Sequence, residues 1–447
     1  MSRDRNRTLI GLEGLAAAVV LNLATGFASM YAARMGASDY QIGLLQSLPP
    51  LFGLVVMIPG ALATDRMRDK RRMAEISILA TAVLFLGVGL TPFLGAASVG
   101  SMIALFALTN APLALYNTSW QAWFSDVVPP ALRNDTYAHR TKLTYLVGAI
   151  VLLGTGLLLA YAPGSDGDRI RLYQVFYGLA FLVSFVQLRF LRGVRTPPPH
   201  DPDAAGAFRL RASIAALLRN RAFLGFAGLA LVFYVGWQFS WPLFFIAQVR
   251  YLGADEAWLS WISVSTSLLN LATTGYWSRF IDRHGVRATL VVGMVGLGTN
   301  PLIYAVATLL PSGVALPFLF ALNAIVGLTF SAYQLSLLQC LLEVVGEKDK
   351  TFRIGVFSSL TLLSNILSPM AGVWLYAALG SDQRAIILTM GISTVLRFVG
   401  AGLFLLRWRA LRGTPDIGRK TASPVEAVQA TGALGTGASA SDPAATE

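Results

Sequence analysis

Amides and aromatic side chains recur at helical spacing in this chain. In the apolar stretch 222–249, Tyr234, Trp237, Gln238 and Trp241 follow the i, i+3, i+4, i+7 pattern of one helix face. In stretch 99–124, Asn110, Tyr116, Asn117, Trp120 and Gln121 fall within about 140° of one another at 3.6 residues per turn. In stretch 314–342, Asn323, Phe330, Tyr333 and Gln334 fall within about 100°. Asn22 is a lone amide in stretch 9–34. Such groups grip a molecule rather than react with it. Aromatic faces supply contact area and a weak pull on cations, and amides supply oriented donors and acceptors. The same groups also tie helix to helix. Trp258, Trp277 and Trp408 stand near stretch ends and read as interface belt residues.

Groups able to carry reaction chemistry are sparse. His139, His200 and His284 are far apart, and no His-Glu-x-x-His or Gly-x-Ser-x-Gly pattern occurs. No Walker-type loop is present, so neither an enzyme nor an ATP-driven pump is expected, and no cofactor or metal is implied. Cys340 is the only cysteine and reads as a packed thiol. Glu13 lies about one turn inside the first stretch, either as a proton site or as a carboxylate snorkelling to the surface. Arg397 lies inside the last stretch and requires a partner that the sequence does not name.

The elements that must position these residues are membrane helices. Apolar residues make up 55% of the chain and charged residues only 13%, too little charge to cover a soluble surface of this size. Stretches of about 20 apolar residues, the length that crosses a bilayer, fall at 9–34, 41–64, 74–94, 99–124, 141–162 and 173–192. Six more fall at 222–249, 257–281, 288–310, 314–342, 353–379 and 385–408. The first follows Arg3, Arg5 and Arg7 and reads as a span rather than a signal peptide. The net charge of +12 would suggest nucleic acid in a soluble protein. Here the arginines and lysines collect in alternate loops. The other loop set holds only Arg34, Arg169, Arg171, Arg250 and Arg384. Positive loops stay cytoplasmic, so both termini are expected inside and a nucleic-acid partner is not. A Pro-rich, Arg-rich linker at 193–221 separates residues 1–192 from 222–410, and a tail at 411–447 is expected to be disordered.

The halves repeat. Gly36-Ala37-Ser38-Asp39 returns as Gly253-Ala254-Asp255-Glu256, 217 positions later, and Asp65-Arg66 returns as Asp282-Arg283 at the same offset. Asn110-Ala111 and Trp120-Gln121 return as Asn323-Ala324 and Tyr333-Gln334. Transport folds are often built as such repeats, with the binding site between them.

The loop Ser278-Arg279-Phe280-Ile281-Asp282-Arg283-His284-Gly285-Val286-Arg287 resembles the signature Gly-x-x-x-Asp-Arg-x-Gly-x-Arg/Lys of the major facilitator superfamily, differing at Ser278. The loop from Gly60 to Arg72 is similar around Asp65-Arg66, with Arg68 in place of the inner glycine. The resemblance implies an all-α membrane fold of twelve helices in two six-helix bundles. It also implies a central cavity lined by spans one, four, seven and ten, and secondary transport by alternating access in the plasma membrane. In such proteins the loop charges form cytoplasmic ion-pair networks that latch the outward-open state. The resemblance gives that role to Asp65, Arg66 and Asp126, and to Asp282, Arg283, Arg287 and Glu343. The span-five proline motif of drug–proton antiporters is missing, although Gly148, Gly154 and Gly156 are present. The partners implied are the lipid bilayer and a small, neutral or weakly charged organic solute, with proton coupling and efflux both open. Two halves complete a pathway, so a monomer is the default. The alternative is a non-transporting or lipid-flipping protein of the same fold.

Overall fold

A computed structural model describes residues 2–67, 69–161, 164–195, 217–345 and 350–411. Most of the expected linker and nearly all of the tail lie outside these residues. Ten helical runs are long and apolar enough to cross a membrane. One of them, the 58-residue run Lys70–Val127, is two passes folded at a 3-10 turn, Thr91–Ala97. Glu256–His284 is a further 29-residue helix, rich in Ser and Thr and so less apolar. The passes therefore number twelve among the described residues, as expected.

The first six spans are Ser2–Arg34, Asp39–Arg66, Lys70–Leu90, Ser98–Val127, Pro130–Tyr161 and Asp166–Gly193. The second six are Arg221–Tyr251, Glu256–His284, Val286–Ala307, Ser312–Val345, Lys350–Ala378 and Gln383–Ala410. Packing follows the repeat. In the first bundle, span one packs on five and six, two on four, and three on four and six. In the second, seven packs on eleven and twelve, eight on ten, and nine on ten and twelve.

Four spans are broken. Span one breaks at Gly26-Phe27, span two at Leu48 before Pro49, span seven at Ser240 before Pro242, and span nine at Thr299 before Pro301. Proline removes one backbone donor and clashes with the preceding turn. In a membrane such breaks persist only where protein or a cavity satisfies the freed groups. The turns into spans two and eight match, with Gly36 at φ +89° and Gly253 at φ +67°. Both occupy the left-handed region that glycine enters freely. Ser38 and Asp255 then cap the following helices through their side chains.

Several side chains sit elsewhere than the sequence suggested. Trp277 is no belt residue: it is 4% exposed, and its ring N–H donates to the Leu328 carbonyl at 2.7 Å. Glu13 does not snorkel, being 1% exposed. Cys340 is fully buried, as a packed thiol would be.

Candidate solute cavity and its cross-bundle clamp

A cavity of about 610 Å³ lies where the two bundles meet. Its walls are the broken segments: Thr25–Met30 of span one, Gln46 and Pro49 of span two, Trp237, Trp241 and Phe244 of span seven, and Asn300 of span nine. Span eight adds Ser263 and Thr266, and span ten adds Asn323, Val326 and Phe330. Asn323 donates to the Thr266 hydroxyl at 3.1 Å, and Gln248 donates to the Tyr304 hydroxyl at 2.7 Å. No charged side chain is among the lining residues.

Of the residues expected to bind solute, Trp237, Trp241, Asn323 and Phe330 line this cavity. Tyr234 and Tyr333 stand one layer back, in an aromatic cluster with Trp237 and Phe233. Gln238 donates to Asn365 at 2.5 Å. Gln121 and Gln334 are exposed. Span four departs from the expectation, since only its Phe106 reaches the central cavity. Its polar face turns into its own bundle, where Asn110, Tyr116 and Asn117 line a second cavity of about 260 Å³ with Thr81, Ser184 and Gln187. Trp120 is packed against Phe124, with Arg140 lying 4.1 Å over its ring. Asn22 is satisfied by its own helix, donating to the Ala18 carbonyl at 2.8 Å.

Glu13 borders this second cavity through its partners. It accepts from the Tyr116 hydroxyl, from Gln187 at 2.9 Å and from Arg140 at 3.2 Å. Three donors on one buried carboxylate satisfy the desolvation demand that a lone charge could not meet.

Arg397 pairs with backbone oxygens and a hydroxyl rather than with a carboxylate. Pro301 has no N–H, so the Leu297 carbonyl loses its helical donor. Arg397 Nη1 donates to that carbonyl at 2.8 Å. Gly236 and Trp237 are among the last four residues of the first segment of span seven, whose carbonyls have no intrahelical partner. Arg397 reaches them at 3.3 and 2.8 Å and the Ser240 hydroxyl at 2.7 Å. One guanidinium thus stitches the breaks of spans seven and nine. Arg397→Met removes one donor from each acceptor; Gly236 and Ser240 keep the Ser393 hydroxyl and Leu297 keeps a backbone N–H, so the cost is at most about 1–3 kcal/mol per acceptor. Its purified form should unfold at markedly lower temperature than wild type, and Arg397→Lys, with no planar fork, should recover only part of the loss. An unchanged melting temperature for Arg397→Met would refute the stitch.

Of the charges expected to latch, Arg287 and Glu343 form a bidentate pair between spans nine and ten. Asp126 pairs with Lys70 at 3.0 Å, across spans three and four. Both pairs lie within a bundle, and they are repeat equivalents: Lys70 and Arg287, and Asp126 and Glu343, are each 217 positions apart. Arg283 is exposed and Asp282 half-buried. The side chains of Asp65 and Arg66 lie outside the described ones.

The described cross-bundle ion pairs occupy the opposite end, and the sequence reasoning missed them. Arg34, at the end of span one, donates to Glu256 of span eight from Nε at 2.6 Å and Nη2 at 2.8 Å. It also contacts Asp166 of span six. Arg34 is 11% exposed and Glu256 fully buried, with the Tyr173 hydroxyl donating to the same carboxylate at 3.0 Å. Arg250, at the end of span seven, reaches back to Asp39 of span two. Asp39 and Glu256 are the repeat equivalents noted above, so each bundle lends an arginine to the other bundle's acid. The packing is reciprocal too. Gly43 of span two faces Val373 of span eleven, and Gly156 of span five faces Ser260 of span eight. Gly43 and Ser260, like Gly156 and Val373, are 217 positions apart. The signal was present in the sequence: Arg34 and Arg250 are two of the five basic residues in the poor loop set, next to the repeated Gly-Ala motif.

Comparison with solved structures gives the same architecture. A bacterial homologue of the human lysosomal transporter Spinster, solved inward-facing and unoccupied, is 16% identical, covers 94% of this chain and 99% of its own, and superposes with a TM-score of 0.65. The nucleoside transporter NupG is 13% identical, with 90% and 98% coverage and a TM-score of 0.67. A D-xylose–proton symporter is 14% identical, with 90% and 97% coverage and a TM-score of 0.68. No curated protein matches the chain. The Major Facilitator Superfamily is matched twice, over residues 11–249 and 226–438. Two family matches that together span most of the chain, the repeated bundle packing and the paired Asp-Arg loops agree: this chain belongs to the Major Facilitator Superfamily.

Proposed function

We propose that the protein is a secondary transporter that moves a small organic solute through the central cavity by alternating access. The carrying observation is the cavity at the bundle junction, walled by broken spans of both halves and closed at one end by the reciprocal clamp. Broken spans around a midplane cavity are how transporters of repeated topology form solute sites. The basic loops are assigned to the cytoplasm by their charge, which puts both termini inside and the clamp outside. The structure is then the state in which the outer end is shut. The plasma membrane is the proposed location, and one chain with two bundles suffices as the working unit.

Trp237, Phe330 and Asn323 are proposed as solute contacts, since each lines the cavity on a different span or turn. The expected result is that a solute raising the melting temperature of the purified protein is also carried into vesicles, and that Trp237→Ala and Phe330→Ala lose both effects. Solute-dependent stabilisation that survives both substitutions would place the site elsewhere.

Glu13 is the proposed coupling residue, because it is a deeply buried acid with a tyrosine, an amide and an arginine around it. With Glu13→Gln, uptake driven by a pH gradient should fall at least about tenfold, the size of effect that general acid–base groups commonly exceed, while solute-induced stabilisation persists. Intact gradient-driven uptake would remove Glu13 from coupling. The pairs Arg287–Glu343 and Lys70–Asp126 are proposed to hold neighbouring helices together as each bundle moves as a body.

A further inference from the structure

The central cavity is ringed by aromatic side chains, among them Trp237, Trp241, Phe244 and Phe330. A ring of this kind would ordinarily suit an organic cation. The charge behind it argues the other way. The Arg397 guanidinium is fully buried, donates to the backbone carbonyls of Trp237 and Leu297, and lies 5.5 Å from the Phe244 ring centroid. All three of those residues line the cavity. A fixed positive charge thus stands one side-chain layer behind the aromatic wall, and no acidic residue lines the cavity to offset it. A cation entering would be repelled across a medium that screens poorly. An anion would gain no contact, because the guanidinium is sealed behind the wall with its N–H groups turned to carbonyls and a hydroxyl.

The polar edge of the cavity specifies more. Two lining side chains carry buried acceptors with no donor, Oε1 of Gln46 and Oδ1 of Asn300. The other end of the Gln46 amide is taken, donating to the Ser29 hydroxyl at 3.1 Å. Buried acceptors without donors are costly, and a bound molecule that supplies N–H groups relieves that cost. Gln46 belongs to the first bundle and Asn300 to the second, so a molecule donating to both would bridge the two bundles.

From this we infer that the solute is uncharged, carries a flat unsaturated ring for the aromatic wall, and presents amide-type N–H donors to Gln46 and Asn300. The inference rests on the central cavity being the solute site, as proposed above.

The test uses four probes of nearly one shape on the purified full-length protein in detergent at neutral pH. These are indole-3-acetamide, its cationic analogue tryptamine, its anionic analogue indole-3-acetate, and cyclohexylacetamide, which keeps the amide but has a saturated, puckered ring in place of the flat aromatic one. Affinities are read from the concentration dependence of thermal stabilisation. Indole-3-acetamide should bind at least about tenfold more tightly than tryptamine and several-fold more tightly than the other two. Asn300→Asp, nearly isosteric, should reverse the order and favour tryptamine. Gln46→Leu should erase most of the preference of the amide over the acetate. Tryptamine binding most tightly to wild type, cyclohexylacetamide matching the indole amide, or no binding by any probe would each overturn the solute class. Failure of the class and failure of the cavity separate cleanly. If a probe of the wrong class binds and Trp237→Ala abolishes that binding, the cavity stands and only the class falls. If none binds, the class falls, and the cavity is judged by Trp237→Ala on any metabolite that drives vesicle uptake.

Discussion

Replacing Arg34 with methionine should open the clamped end of the protein, which we propose faces outward. Arg34 holds Glu256 by two hydrogen bonds across the bundle interface, and Glu256 is fully buried there. Removing one member of a buried pair strands the other charge, at about 3–5 kcal/mol. That cost falls on the shut state alone, because an opened outer end lets water reach Glu256. A shift of about 3 kcal/mol changes a conformational equilibrium by roughly a hundredfold. The readout is a cysteine placed at the cavity residue Ser263 in a chain whose buried Cys340 is replaced by alanine. A membrane-impermeant thiol reagent added outside should label it much faster in Arg34→Met. Glu256→Gln should act in the same direction, and the double variant should be no worse than the single ones, because the stranded charge is gone. Labelling rates equal to wild type would mean that the pair decorates the outer end without holding it.

Substituting Gly156 should have the second large effect, with the same direction and a different cause. A Cβ built there would sit 2.3 Å from the Ser260 hydroxyl and 2.7 Å from the Glu256 backbone oxygen. A backbone oxygen in a helix cannot step aside, so the two bundles must part for alanine to fit. At the repeat-related contact a Cβ on Gly43 would meet only side-chain atoms of Val373, the nearest at 2.9 Å. Gly156→Ala should therefore hold the outer end open and abolish turnover, while Gly43→Ala should slow it less. Val373→Ala should rescue Gly43→Ala, whereas Ser260→Ala should not rescue Gly156→Ala. Equal effects at the two glycines, or rescue at Ser260, would show that the close approach does not limit closure.

The sequence made the frame legible and left the cross-bundle chemistry hidden, for identifiable reasons. Twelve spans follow from length and apolar content, and the helical period picked out Trp237, Trp241, Asn323 and Phe330, which do line the cavity. The same period also picked out Asn110 and Asn117, whose face points into the first bundle. Periodicity finds a polar face but does not say whether a solute or another helix meets it. Gln46 and Asn300 escaped notice as lone amides in spans that showed no pattern. Asn300 stands beside the Asn-Pro break that makes its carboxamide available. Arg397 could not be assigned because its partners are carbonyls, one of them exposed by Pro301, and no side-chain pattern records a missing backbone donor. The repeat marked Asp39 and Glu256 as equivalents. That each would pair with the other bundle's arginine depends on how the bundles face one another, and the pairing of Arg34 with Glu256 spans 222 positions.

The most direct test is a distance across the outer end. Spin labels at Gly167 in the first bundle and Arg384 in the second occupy exposed positions beside the clamp, and pulsed electron resonance reads their separation in reconstituted protein. With both arginines present, a single short-distance population should dominate. With Arg34→Met and Arg250→Met combined, a second population at longer distance should appear and grow, while labels placed within one bundle should keep their separation. A cross-bundle distribution unchanged by loss of both arginines would contradict the claim that the two bundles part at this clamp to admit the solute.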